Sequence, residues 1–150
     1  MDDQRAIEHL LYRYAELIDA GDFTGIGQLF ARGQIVAPAA VHPFRGADEV
    51  RQMYEMSTRR YPDGRPHTQH VMSNVRIDVA ADRLSADAKL RFTVFQAHED
   101  FPLQPIVAGR YEDRFARDDS GWFFSERRML TELIGDLSRH LLIELPRRGS

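Results

Sequence analysis

The chain contains no cysteine. That excludes a disulfide scaffold, a zinc–thiolate site, an iron–sulfur cluster and a cysteine nucleophile. Long apolar runs are missing as well. The stretch Ile35 to Val41, broken by Pro38, falls far short of the roughly 18 residues a membrane helix needs. The polar start Met1-Asp2-Asp3-Gln4-Arg5 lacks the apolar segment of a secretory leader, so a cytoplasmic protein is expected. Charge of one sign is missing too: 20 basic and 23 acidic residues give a net charge of −3. No positive field draws such a chain onto phosphate backbones, and neither a nucleic-acid nor a membrane partner is expected. There is no phosphate-binding glycine loop. The glycines of Gly21-Asp22-Phe23-Thr24-Gly25-Ile26-Gly27 follow a helix rather than a strand, so they form no dinucleotide fingerprint. No serine stands in a G-x-S-x-G elbow. What these absences leave is acid–base chemistry without a cofactor, or ligand binding.

What is present is an ordinary globular composition, 43% hydrophobic and 29% charged. Its 150 residues are one domain's worth of chain. Residues 1–145 read as that domain, and 146–150 as a loose tail. Ile7, Leu10, Leu11, Tyr14, Leu17 and Ile18 recur at helical spacing, with Asp2 or Asp3 as cap and Gly21 as stop. Asp22 opens a second, short helix through Phe30, and Gly46-Ala47-Asp48 leads into a third. After residue 66 the period becomes two. Gln69, Val71, Ser73, Val75, Ile77 and Val79 share one strand face; Thr68, His70, Met72 and Asn74 share the other. Further strands are expected over 84–98, 106–117 and 122–133, with a hairpin turn at Asp118-Asp119-Ser120-Gly121 and a last helical turn or arm over 137–145. Helices first and strands after mean α+β: a curved, cone-shaped antiparallel sheet wrapped around N-terminal helices and enclosing a pocket.

Three side chains are candidates for chemistry. Asp19 ends the first helix. His70 carries an imidazole, the usual general base near neutral pH, on the more polar face of its strand. Tyr14 offers a phenol five residues before Asp19. Asp113, on the same strand face as Gly109 and Tyr111, is either a site residue or half of a buried ion pair. His67 and His70 point to opposite faces, so they cannot share a metal easily, although His98 could approach one of them. His9, His42 and His140 have no spacing partner, and no metal site is expected.

Several stretches resemble the SnoaL-like branch of the nuclear transport factor 2-like superfamily. They are Leu11 to Phe23, Leu29-Phe30, Thr68 to Asn74, Gly109 to Phe115 and Asp119 to Phe124. Within it the look is closest to scytalone dehydratase and bile-acid 7α-dehydratase. Asp19 followed by Asp22-Phe23, Thr68-Gln69-His70, and Tyr14 ahead of Asp19 carry that likeness. It implies that His70 is the general acid or base, Asp19 its orienter and Tyr14 a contact to a substrate oxygen. A second strand histidine of scytalone dehydratase has no match, since that region reads Val94-Phe95-Gln96 here.

The function expected is therefore a cofactor-independent lyase or isomerase. It would dehydrate, isomerise or cyclise a small hydrophobic polyketide-, steroid- or terpene-like compound. Phe30, Tyr54, Asn74, Phe92 and Tyr111 are expected to contact that compound, with Phe44, Met53 and Phe95 as further apolar wall. The resemblance also implies a homodimer. The alternative is a non-catalytic ligand-binding or accessory subunit of the same fold.

Overall fold

The computed structural model describes residues 1–145; the tail expected over 146–150 lies outside the described residues. Helix α1 spans Asp3–Asp19, α2 Phe23–Leu29 and α3 Gly46–Ser57. The strands are β1 Gln34–Val36, β2 Phe44–Arg45, β3 Thr68–Val79, β4 Ser85–His98, β5 Phe101–Asp118 and β6 Gly121–Ile134. They form one sheet in the order β2-β1-β6-β5-β4-β3. All neighbours are antiparallel except β1 and β6, which run parallel. The sheet is curved but open, with β2 and β3 as its edges, rather than closed into a barrel.

Local chemistry sets the helix ends. The Asp2 carboxylate accepts a bond from the Arg5 N–H at 2.8 Å, and Asp22 caps α2 through the Gly25 N–H at 2.8 Å. Gly21 reverses the chain after α1 at φ +72°, and any side chain there would run into the Gly64 carbonyl oxygen. One face of α1 (Ile7, Leu11, Tyr14, Leu17, Ile18) is buried against the sheet. Burying each such large apolar side chain contributes about 1.5–3 kcal/mol before entropy is counted.

The sheet curves because its registers slip. In β3 the pairing with β4 shifts between Ser73 and Arg76, where Asn74 adopts φ +52°. An extra residue at such a bulge exchanges the two faces. His70 and Met72 face the helices before the bulge; Val75, Ile77 and Val79 do so after it. The uninterrupted alternation expected for this strand is thus corrected. The candidate histidine and the apolar run beyond it share the concave side. After β6 the chain crosses back as an arm. Thr58 bridges to Leu141, the Arg59 N–H donates to the His140 carbonyl at 2.8 Å, and the Leu142 N–H donates to Ser57 at 2.9 Å.

Candidate active site

The last turn of α1 and the first residues of β3 meet at Asp19. One carboxylate oxygen accepts from the Thr68 hydroxyl at 2.8 Å and lies 2.7 Å from His70 Nδ1; the other accepts from the His70 backbone N–H at 2.8 Å. Three donors therefore converge on one carboxylate and fix its rotamer. The same bonds fix His70. With Nδ1–H donating to Asp19, a neutral ring presents its Nε2 lone pair on the far side. The His70 side chain is 6% exposed, and its ring lines an apolar cavity of about 400 Å³.

Tyr14, Tyr54, Phe92 and Tyr111 line the same cavity, as do Phe44 and Met53. The Tyr14 and Tyr54 hydroxyls are 2.6 Å apart and share a hydrogen bond. Burial pushes the phenols of Tyr14, Tyr54 and Tyr111 above their ordinary value; at Tyr14 the charge of Arg127 opposes that shift. These phenols stay protonated at ordinary pH and act as neutral hydrogen-bonding groups. The Tyr14 ring also meets that of His70 edge-on, with centroids 6.3 Å apart.

Two expected contacts fall elsewhere. Phe30 is fully buried behind the cavity wall, stacked on Phe124 at 4.6 Å and edge-on to Tyr14. Asn74 forms the β3 bulge and is exposed, away from the cavity. Phe95 takes no part in the wall either; the neighbouring Val94 does. Asp113 is wholly buried and pairs with Arg127, Oδ1 to Nε and Oδ2 to Nη2, both at 2.8 Å. That guanidinium lies 3.8 Å from the centre of the Tyr111 ring and 4.3 Å from that of Tyr14. Burial alone would weaken the charge of Arg127, but the attraction of Asp113 more than reverses this. The pair forms a charged floor under the tyrosines. His67 and His98 do meet, Nδ1 to Nδ1 at 2.9 Å with Tyr61 stacked on both, but on the sheet edge outside the cavity. Among the described residues no three His, Asp or Glu side chains gather as metal ligands.

Residues 1–128 match the SnoaL-like domain family. The chain belongs to that family. No curated protein matches it. Among solved structures, an NTF2-like protein with a cystatin-like fold from Novosphingobium aromaticivorans superposes with a TM-score of 0.69 at 18% identity, covering 85% of this chain and 80% of that one. A second protein of that organism, provisionally named a scytalone dehydratase, gives 0.68 at 21% identity over 87% and 84%. ActVI-ORFA from Streptomyces coelicolor gives 0.70 at 14% identity over 86% and 96%. At these identities the likeness of this SnoaL-like chain to the solved structures is one of fold.

Sequence reasoning missed the second histidine of the cavity wall. His140, on the arm after β6, lines the cavity with its ring 6.3 Å from that of His70. Neither period nor spacing connects position 140 to position 70; only the arm's return across the end of α3 does.

Proposed function

We propose that this SnoaL-like protein is a cofactor-independent lyase or isomerase acting on a small hydrophobic ring compound that carries a carbonyl or hydroxyl group. The observation behind this reading is the Asp19–His70 bond of 2.7 Å beside an open apolar cavity of about 400 Å³. That volume suits a ligand of two or three rings.

The chemistry starts with the Nε2 lone pair of His70. It takes a proton from the carbon next to a substrate carbonyl. The C–H electron pair becomes the C=C bond of an enolate, and the carbonyl oxygen gains the charge. Asp19 stabilises the imidazolium formed, and the Tyr14–Tyr54 pair donates to the oxygen. In a dehydration the enolate electrons expel a hydroxyl from the next carbon. That C–O bond breaks as the His70 proton is returned, so water leaves and the ring is neutral again. In an isomerisation the proton returns to another carbon instead.

Proton abstraction is common to these outcomes, so it is the step to measure. With 2-tetralone in deuterated water, the chain should accelerate exchange of the protons next to the carbonyl. His70→Ala should lose about 10²–10⁴-fold of that acceleration, and Asp19→Asn should lose part of it. Exchange at the wild-type rate in His70→Ala would sink the mechanism, and no exchange in the wild type would favour a ligand-binding subunit.

A further inference from the structure

His140 is held more firmly than a chain end requires. The carbonyl of the preceding Arg139 accepts from the Tyr61 hydroxyl at 2.6 Å and from the Gln96 side-chain amide at 3.0 Å. The same Gln96 nitrogen also donates to the Pro66 carbonyl at 3.0 Å, and Gln96 is buried. The His140 carbonyl accepts from the Arg59 N–H, and its own N–H donates to the Leu137 carbonyl at 3.0 Å. Four residues, from the segment after α3, from β4 and from the arm itself, thus grip the backbone at this one position. Its ring, 6% exposed, is placed in the apolar cavity wall between Leu137 and Leu141. In contrast to His70, the ring has no carboxylate behind it. Its Nδ1 is buried with no hydrogen-bond partner.

The His140 Nε2 likewise has no partner among the described residues but is not closed off as Nδ1 is, so it is the ring nitrogen that a ligand in the cavity meets. We propose that His140 is a second substrate-contacting histidine, whose imidazole hydrogen-bonds an oxygen of a neutral ring alcohol, ketone or enol lying in the cavity beside it and His70. This assignment rests on the acid–base reading of the same cavity and gives the two rings different tasks. His70, backed by Asp19, moves the proton. His140, with no carboxylate hydrogen-bonded to it and another imidazole facing it, remains neutral and grips the oxygen. Burial first, and then His70, hold its basicity far down, to about 3, against the opposing pull of Asp19. A neutral imidazole in such surroundings acts as a hydrogen-bonding group rather than as a base. The class of ligand follows. The polar side chains lining the cavity are the imidazoles, the phenols, the hydroxyls of Ser57, Thr58 and Thr131 and the carboxylate of Glu144, with no lysine or arginine among them. Arg127 is paired with Asp113, so an uncharged oxygen fits better than a carboxylate or phosphate.

The test compares two probes that differ by one oxygen, 2-naphthol and naphthalene, binding to the wild type, His140→Phe and His140→Asn. The wild type should prefer naphthol, and His140→Phe should reduce that preference about tenfold, the worth of one net hydrogen bond. His140→Asn, which keeps a donor, should retain part of it. The ring nitrogen resonances of His140 in the wild type should move with naphthol and not with naphthalene. That measurement decides the matter even if the Phe variant fails to fold. A preference unchanged in a folded His140→Phe, no preference in the wild type, or silent His140 ring resonances would overturn the proposal. The tetralone exchange separates it from the acid–base reading. Exchange that needs His70 beside a naphthol preference indifferent to His140 keeps the former and rejects the latter. The opposite pair of results leaves His140 gripping a ligand that the chain does not transform.

Discussion

Moving a histidine from water into an apolar wall makes its proton a stability term. The ordinary value for His140 is 6.5 and the folded value about 3, lowered by burial and by His70 and raised in part by Asp19. In the window between those values the unfolded chain takes up a proton that the folded chain refuses. The contribution is therefore complete above pH 6.5 and is lost as the pH falls towards 3. His140→Phe removes this dependence. Urea unfolding should show the variant gaining on the wild type between about pH 7 and about pH 4, with no relative change above neutrality. At this scale the sequence was informative where residues carry a local signature. Asp19, His70 and Tyr14 could be named because a helix end, a strand period and a family motif point at them. His140 could not, since its partners (Arg59 and Tyr61 after α3, and Gln96 in β4) come from two distant segments and leave no spacing to detect. Asn74 stood out for its polarity, yet its role is conformational. Its left-handed φ makes the bulge that turns Val75, Ile77 and Val79 to the side that His70 already faces.

Strands β5 and β6 carry the one fully buried ion pair among the described residues, Asp113 directly across from Arg127. Removing one partner leaves the other charge buried and alone. Arg127→Met should cost about 3–5 kcal/mol in chemical denaturation. The double variant Asp113→Leu with Arg127→Met should recover most of that loss, because two apolar side chains need no solvation. A double variant as unstable as Arg127→Met would mean that the stacking of the guanidinium on Tyr14 and Tyr111 outweighs the pairing. The four long strands were legible from their period of two, although β5 begins at Phe101, five residues before the expected Ile106, and the short β2 stands where irregular chain is expected. Their curvature was not. Slips at Ala108/Gly109 and Arg114/Phe115 in β5, like that in β3, depend on the pairing partner, which alternation along one strand does not reveal.

The whole molecule joins a helical layer to an open sheet, and one carboxylate at the start of α1 ties them together. Asp3 accepts from Arg83 Nε at 2.6 Å and from Arg117 Nη1 and Trp122 Nε1 at 3.1 Å each. The Arg83 bond and then the Trp122 bond hold its carboxyl at about 2, below the ordinary 3.8. A lowered carboxylate adds stability above its unfolded value and loses it as the pH falls through the folded one. Asp3→Asn should therefore be less stable than the wild type at neutral pH, and the gap should close between pH 3.8 and about 2, as thermal unfolding at several pH values would show. The architecture, helices before strands with a pocket between them, followed from the order of the periods alone.

The returning arm divides this chain into two parts under different constraints. Everything through Ile134 builds the helices and the sheet. Residues 135–145 add no strand to that sheet, yet they supply Leu137, His140, Leu141 and Ile143 to the cavity wall. Part of the ligand-facing wall is therefore inscribed outside the stretch that builds the sheet. Variation confined to the arm can retune what the pocket accepts while the scaffold around Asp19 and His70 stays as it is, so the arm is where laboratory selection for new ligands has the most freedom.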